Sequence, residues 1–332
     1  MSKVTKVVPP RLHVLLRKKT AVVILRGRSK SAATFGWNLK DDSFALGQWF
    51  RGRIYALRCD LSPDGKHLIY FAAKYWRNDA VFQRKQAALK ETFNTEDLWR
   101  IPDGLRRQAE EKIEATHGKE FEKLHNSLDF NAPTWTAISR APYLKAIDLW
   151  WNGSGWNGGG AFLSDREVWL NHPTFMFEPP VLESGNFSVT HDPIPELGYG
   201  NTRGECPPIY FAKLVRDGWV LKDDFGYRLH CNALFEKRLP DSRILQKRFF
   251  SGLNNTPGRS VYWDEHCVVD ETGTQILGGS AWEWADFDAP RKRILFARNG
   301  CLWALPLKEL DHPPVLLKDF NSAEFEPVVA PY

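Results

Sequence analysis

The segment Cys59-Asp-Leu-Ser-Pro-Asp-Gly-Lys-His-Leu-Ile-Tyr-Phe71 constrains the fold more than any other stretch of the chain. Ser-Pro-Asp-Gly is a turn with a mechanism. Pro63 presets its own φ, Asp64 can bond back to the backbone, and Gly65 accepts positive φ. His67 to Ala72 is rich in β-formers, so the segment predicts strand, turn, strand. Two weaker echoes follow. Residues 161–170 (AFLSDREVWL) keep the hydrophobic–Ser–turn–hydrophobic order without Pro or Gly. Residues 286–296 (DFDAPRKRILF) keep Asp, Phe, Pro, a basic residue and the apolar strand. After the third comes an Asn299-Gly300 hairpin turn and another strand. One supersecondary phrase recurring near residues 60, 162 and 286 is the mark of a propeller or solenoid, with insertions between the repeats.

The first of these segments resembles the WD-repeat-like propeller motif of TolB-type proteins. Asp60, Leu61, Ser62, Pro63, Asp64, Gly65, Lys66, Leu68 and Tyr70 match its D-L-S-P-D-G-K-x-L-x-Y core. The resemblance implies a β-propeller in which this turn joins the two inner strands of a blade and serves structure, not catalysis. The fold expected is therefore all-β and propeller-like, a single domain over residues 1–332 with about five blades, six or seven being the alternatives.

Other strands are expected at 21–25, in a hairpin over 34–50 about Asp41-Asp42, and at 53–57, 134–138, 146–150, 209–214, 219–222, 227–235 and 244–250. A further hairpin is expected over 260–277. Residues 79–128 break this pattern. Leu105, Ala109, Ile113, Phe121, Leu124 and Leu128 recur at mostly three- or four-residue steps, which predicts an amphipathic helix, with Gly118 a possible interruption. A second helix is expected over 80–93. The insertion holds nine basic and ten acidic residues, so it reads as a cap or docking surface and not as a nucleic-acid arm.

Fourteen Trp against two Met suit pleated, half-buried surfaces. Pro9, Pro10, Arg11 and His13 break the apolar run a signal peptide needs, and no stretch is long and apolar enough for a membrane span. The cysteines, at 59, 206, 231, 267 and 301, are odd in number and far apart, which suits free thiols in a reducing, cytoplasmic setting. Charge is polarised. Residues 1–58 carry 13 basic and two acidic side chains, leaving 32 basic and 38 acidic in the remainder.

The common phosphate-loop, hydrolase-elbow and zinc signatures are absent, and no catalytic residue, metal or cofactor is expected. His230-Cys231 and His266-Cys267 could hold zinc only if one residue of each pair converged, because neighbours on a strand point to opposite faces. The Gly-rich loop 150–160 offers Trp151, Asn152, Trp156 and Asn157 as ligand-binding candidates, against a reading in which its tryptophans wedge between sheets. Arg17, Lys18, Lys19, Arg26 and Arg28 form a candidate polyanion or nucleic-acid site, with Lys30, Arg51 and Arg53 nearby in sequence. Asp148, Asp165, Glu183, Asp192, Glu196 and Asp286 could include a glycosidase pair. The expected function is a non-catalytic interaction or scaffold module with an unidentified protein partner. The alternatives are an enzyme acting on a glycan or other polar ligand at the channel, and polyanion binding through the basic N-terminal region.

Overall fold

The computed structural model describes the chain except residues 1–8, 28–30, 75–77, 127–133, 153–154, 156, 173–179, 192–205, 226–231 and 253–260. Its strands form five sheets arranged as the blades of a five-bladed β-propeller. Blade one holds β1 (Arg11–Leu16), β2 (Thr20–Arg26), β3 (Ser31–Asn38) and β4 (Ser43–Arg51) in an antiparallel meander. Blade two holds β5 (Arg53–Ile54), β6 (Asp60–Leu61), β7 (His67–Ala73), β8 (Thr134–Arg140) and β9 (Ala146–Asn152). Here β5 and β6 share one edge of β7, separated by a 3-10 turn at Ala56–Arg58. Blade three is reduced to β10 (Gly160–Phe162), β11 (Glu167–Leu170) and β12 (Ser188–Thr190), the last pair parallel. Blade four has β13 (Val220–Phe225), β14 (Asn232–Arg238), β15 (Ile244–Ser251), β16 (Tyr262–Val269) and β17 (Gln275–Gly279). Blade five has β18 (Trp284–Asp288), β19 (Arg293–Arg298), β20 (Cys301–Pro306) and β21 (Val315–Asp319).

The three recurring segments are all turns between the first strands of a blade: β6 to β7, β10 to β11, and β18 to β19. At the first, Ser62 Oγ donates to Asp64 Oδ1 at 2.6 Å and accepts from the amides of Lys66 and His67, while Gly65 sits at φ +76°. Apolar faces meet between consecutive blades. One cluster joins Leu12, Val23 and Trp37 of blade one to Trp284, Leu295 and Leu302 of blade five. Another joins Val22 and Ile24 to Ile54, Leu68 and Tyr70 of blade two. A third joins Ile69 and Ile138 to Phe162, Val168 and Leu170 of blade three. First and last blades each supply all their own strands, so no shared strand closes the ring. Residues 320–332 do so instead. Phe320 packs edge-on against Phe35 and Phe44, Val328 O accepts from Gln48, and the Tyr332 hydroxyl donates to Lys145 O of blade two.

Two segments depart from strand. Residues 209–214, expected as a strand, lie in helix α3 (Pro207–Arg216), counted after the two helices of the insertion. Its residues Pro207 to Leu214 are all buried and, Lys213 apart, apolar, and a short apolar run reads equally as a strand. Helix α3 packs against blades three and four. Ile209 packs on Ala161 and Trp169 of blade three, and Phe211 on Phe235 and Phe249 of blade four. The insertion forms α1 (Asn78–Phe93) and α2 (Asp103–Asn126), and α2 runs unbroken through Gly118. Ala88, Leu89, Leu98, Ala109 and Ile113 give this hairpin an apolar core of its own, to which no blade contributes among the described residues. No helix among the described residues is long and apolar enough to cross a membrane.

Candidate functional site

The strand registers sort the connections by face. Arg17–Lys19 and the turns at 39–42, 62–66, 163–166, 239–243 and 289–292 lie on one face and are short. The insertion between the paired ends Ala73 and Thr134, the loop after Asn152, and the connections from Phe225 to Asn232 and from Ser251 to Tyr262 leave from the other. On that second face the central channel opens into a cavity of about 680 Å³. Arg11, His13, Arg26, Arg53 and Tyr55 line it from blades one and two, Trp263, Asp264 and Glu265 from blade four, and Glu283 from the lead into blade five. Cys206, at the N-terminus of α3, also lines it, so the helix fills the channel below with its positive end toward the cavity.

Three arginines crowd this mouth. The β1–β2 register sets Arg11 directly opposite Arg26, and Arg53 opens the neighbouring β5. Like charges facing each other across a strand pair are destabilising. Burial and then the guanidiniums of Arg53 and Arg11 lower the pKa of Arg26 from its ordinary value. Among the described residues neither Arg26 nor Arg53 has a carboxylate partner; Arg53 lies over the Tyr55 ring at 5.6 Å. Behind the lining, buried Arg58 lies against both the Tyr55 and Phe71 rings and donates to Cys206 Sγ at 3.4 Å.

The opposite wall is acidic. Asp264, 9% exposed, accepts from the Tyr210 hydroxyl through Oδ2, and Lys247 lies 3.7 Å from the same oxygen. Lys247 Nζ also donates to Tyr210 Oη at 2.8 Å. Burial raises Asp264 and lowers Lys247, each against the other's attraction. The second oxygen, Oδ1, meets no hydrogen-bond donor among the described residues. Glu283 accepts from the Leu12 amide at 3.4 Å, and burial pushes its carboxyl up to about 7 against that bond and against Arg11. Burial, with Lys213 and Lys247 nearby, holds His13 well below the ordinary imidazole range, so it is neutral at pH 7.

At the far end of the channel lies a second polar centre, built on Asp60 of the Ser-Pro-Asp-Gly segment. Asp60 is 2% exposed and accepts from Arg17 of blade one at 2.9 Å, from Arg216 of α3 at 2.6 and 3.0 Å, and from the Phe162 amide of blade three at 2.8 Å. Burial opposes its charge, but Arg216 and Arg17 outweigh burial and hold the carboxyl well below the usual carboxylate range. Sequence reasoning treated this residue as part of a turn and missed its role as the staple of three blades and a helix.

The basic residues singled out in the sequence do not form one patch. Arg17, Lys18 and Lys19 make the β1–β2 turn, at the opposite end of the strands from Arg26, and Arg17 is held by Asp60 and by Leu61 O. Lys18 and Lys19 are exposed; Arg28 lies outside the described residues. Of the described members of the set, Arg26 alone reaches the cavity, where it joins Arg53 and Arg11. The 150–160 loop is used internally. The Asn152 amide donates to Asn157 O, which also accepts from Arg58 at 3.3 Å, and Trp151 packs edge-on against Trp135. A Cβ at Gly158 would meet the Phe71 ring at 2.2 Å and one at Gly159 would meet Arg58 O at 2.4 Å, so close packing requires these glycines. Trp156 lies outside the described residues.

The carboxylates picked out in the sequence are scattered. Asp148 binds Ser184, Asp165 accepts from the Asp64 amide, and Asp286 pairs with Lys237 at 2.5 Å. Glu183 is exposed, and Asp192 and Glu196 lie outside the described residues. So do His230 and Cys231. His266 donates through Nδ1 to Trp282 O at 3.0 Å, and no group of three metal-ligating side chains occurs among the described residues. Cys59, Cys206, Cys267 and Cys301 are buried free thiols; Cys231 is outside the described residues. No protein-family model matches the chain, and no curated protein matches it significantly.

Proposed function

We propose that this propeller, built on blades of the TolB-like kind, is a non-catalytic binding module whose ligand docks an anionic group at the mouth of the central channel. The observation that carries this reading is the convergence of Arg11, Arg26 and Arg53 on one cavity, with no carboxylate partner for Arg26 or Arg53 among the described residues. An anion relieves their mutual repulsion and gains charge-assisted hydrogen bonds. The longer connections gather on the same face, where binding residues commonly sit on a rigid scaffold. The test is thermal denaturation of the wild type and of the Arg26→Ala/Arg53→Ala double variant over a series of phosphate, pyrophosphate, sulfate and citrate concentrations at constant ionic strength. A ligand that binds only the folded state raises Tm with its concentration. Stabilisation of the wild type that is lost in the variant supports the reading; equal shifts in both contradict it.

A second reading, a scaffold that docks a protein partner, draws on the helical insertion. Its hairpin has a core of its own and rises from the blade end beside Arg53. Co-purification that depends on residues 78–126 but not on Arg26 or Arg53 would favour this reading over the first.

A further inference from the structure

The three arginines occupy one side of the cavity. A bare inorganic anion would satisfy them but would leave the acidic wall of Asp264 and Glu283 unmatched across the same space. Carboxyl oxygens accept hydrogen bonds in either protonation state, so a matching ligand carries donors at some distance from its negative group. Asp264 lines the cavity, is nine-tenths buried, and has one oxygen that meets no donor among the described residues. Its charge is already met by Lys247 and Tyr210, and burial favours the neutral form of Glu283. Neutral hydroxyls suit that wall better than an ammonium group. The rings of Trp263 and Tyr55 also line the cavity, and aromatic surfaces pack well on the C–H faces of a flat, rigid ring. The volume, about 680 Å³, falls within the range of about 300–1,000 Å³ typical of small-molecule sites.

We propose that the ligand is an acidic sugar, a pyranose bearing a carboxylate or a phosphate, with its anionic group on Arg11, Arg26 and Arg53 and its hydroxyls on Asp264 and Glu283. The inference rests on the anion-binding reading above. Recognition of the two ends is mutually dependent: the arginines supply attraction and the carboxylates select for hydroxyls, so neither a neutral sugar nor inorganic phosphate fills the site.

Isothermal titration calorimetry with a panel of hexuronates, hexose phosphates, neutral hexoses and inorganic phosphate tests it. The acidic sugars should bind at least about ten-fold tighter than phosphate or neutral sugar, the worth of one charge-assisted hydrogen bond. A preference within the panel then assigns the anionic group as carboxylate or phosphate. Glu283→Ala should shrink the advantage of acidic sugar over phosphate, and Arg26→Ala should weaken binding of both. Lys18→Ala, on the opposite face, should change neither. Acidic sugars that bind no tighter than phosphate overturn this inference and leave the anion site standing. Absence of binding by every member of the panel overturns both.

Discussion

Asp60 is a buried charge with a specific task, and removing it gives a magnitude that can be worked out. Its carboxylate holds Arg17, Arg216 and the Phe162 amide, and so ties blades one, two and three to α3. Removing one partner of a buried pair costs about 3–5 kcal/mol. Asp60→Asn belongs at the lower end, about 3 kcal/mol. Its amide oxygen can still accept from Phe162, Arg17 retains Leu61 O, and Arg216 retains Asp217 at 2.9 Å and Phe162 O at 3.0 Å. Asp60→Ala belongs at the upper end, about 5 kcal/mol, because it also strands the Phe162 amide. Unfolding entropy near 2.1 cal/mol/K per residue gives roughly 0.7 kcal/mol per degree for 332 residues, hence Tm drops of about 4 and 7 °C. The pH dependence has a definite sign. The folded carboxyl titrates below its unfolded value, so its stabilisation is complete above about pH 4 and is lost as pH falls further. Differential scanning calorimetry of the three proteins from pH 7 down to 3 should show the gap between wild type and Asp60→Asn closing on acidification. Variants within 1 °C of wild type at pH 7, or a gap that widens in acid, would refute the reasoning.

Three further outcomes follow from other parts of the fold. Gly65→Val places a β-branched side chain at φ +76° with its Cβ 2.2 Å from Thr20 Cγ2, and should cost about 1–3 kcal/mol in backbone strain alone, read as a lower urea midpoint. Replacing residues 78–126 with a short Gly/Ser turn should leave strand circular dichroism and a cooperative transition intact, since Ala73 and Thr134 are paired neighbours; an unfolded product would show that the hairpin belongs to the propeller core. Glu283 titrates near 7 in the fold against 4.5 ordinarily, so the stability it contributes is full below about pH 4.5 and is lost as pH rises through 7. Glu283→Gln should therefore be more stable than wild type at pH 8, by about 1–2 kcal/mol after solvent screening, and a stability profile as steep as the wild type's would contradict that assignment.

What the sequence revealed was local. Ser-Pro-Asp-Gly fixes its turn through four adjacent residues, and the insertion shows itself by a helical period within one segment. Helix α3 escaped because its buried run, apolar but for Lys213, is too short to be told from a strand. The site escaped for a different reason. Arg11, Arg26 and Arg53 lie on separate strands and meet only once β1, β2 and β5 are in register. One signal was present: residues 11–16 and 20–26 are apolar arms about Arg17-Lys18-Lys19, and reading them as a hairpin sets Arg11 opposite Arg26. The polar centre on Asp60 is equally nonlocal, since its partners come from residues 17, 162 and 216.

The most direct test of the channel-mouth assignment is crystallographic. Crystals soaked in tungstate, a tetrahedral dianion that scatters anomalously, should show a peak in the cavity within hydrogen-bond reach of Arg11, Arg26 and Arg53. That peak should vanish in the Arg26→Ala/Arg53→Ala variant soaked in the same way. Tungstate peaks elsewhere on the molecule with none among these three arginines, or an undiminished cavity peak in the variant, would contradict the account.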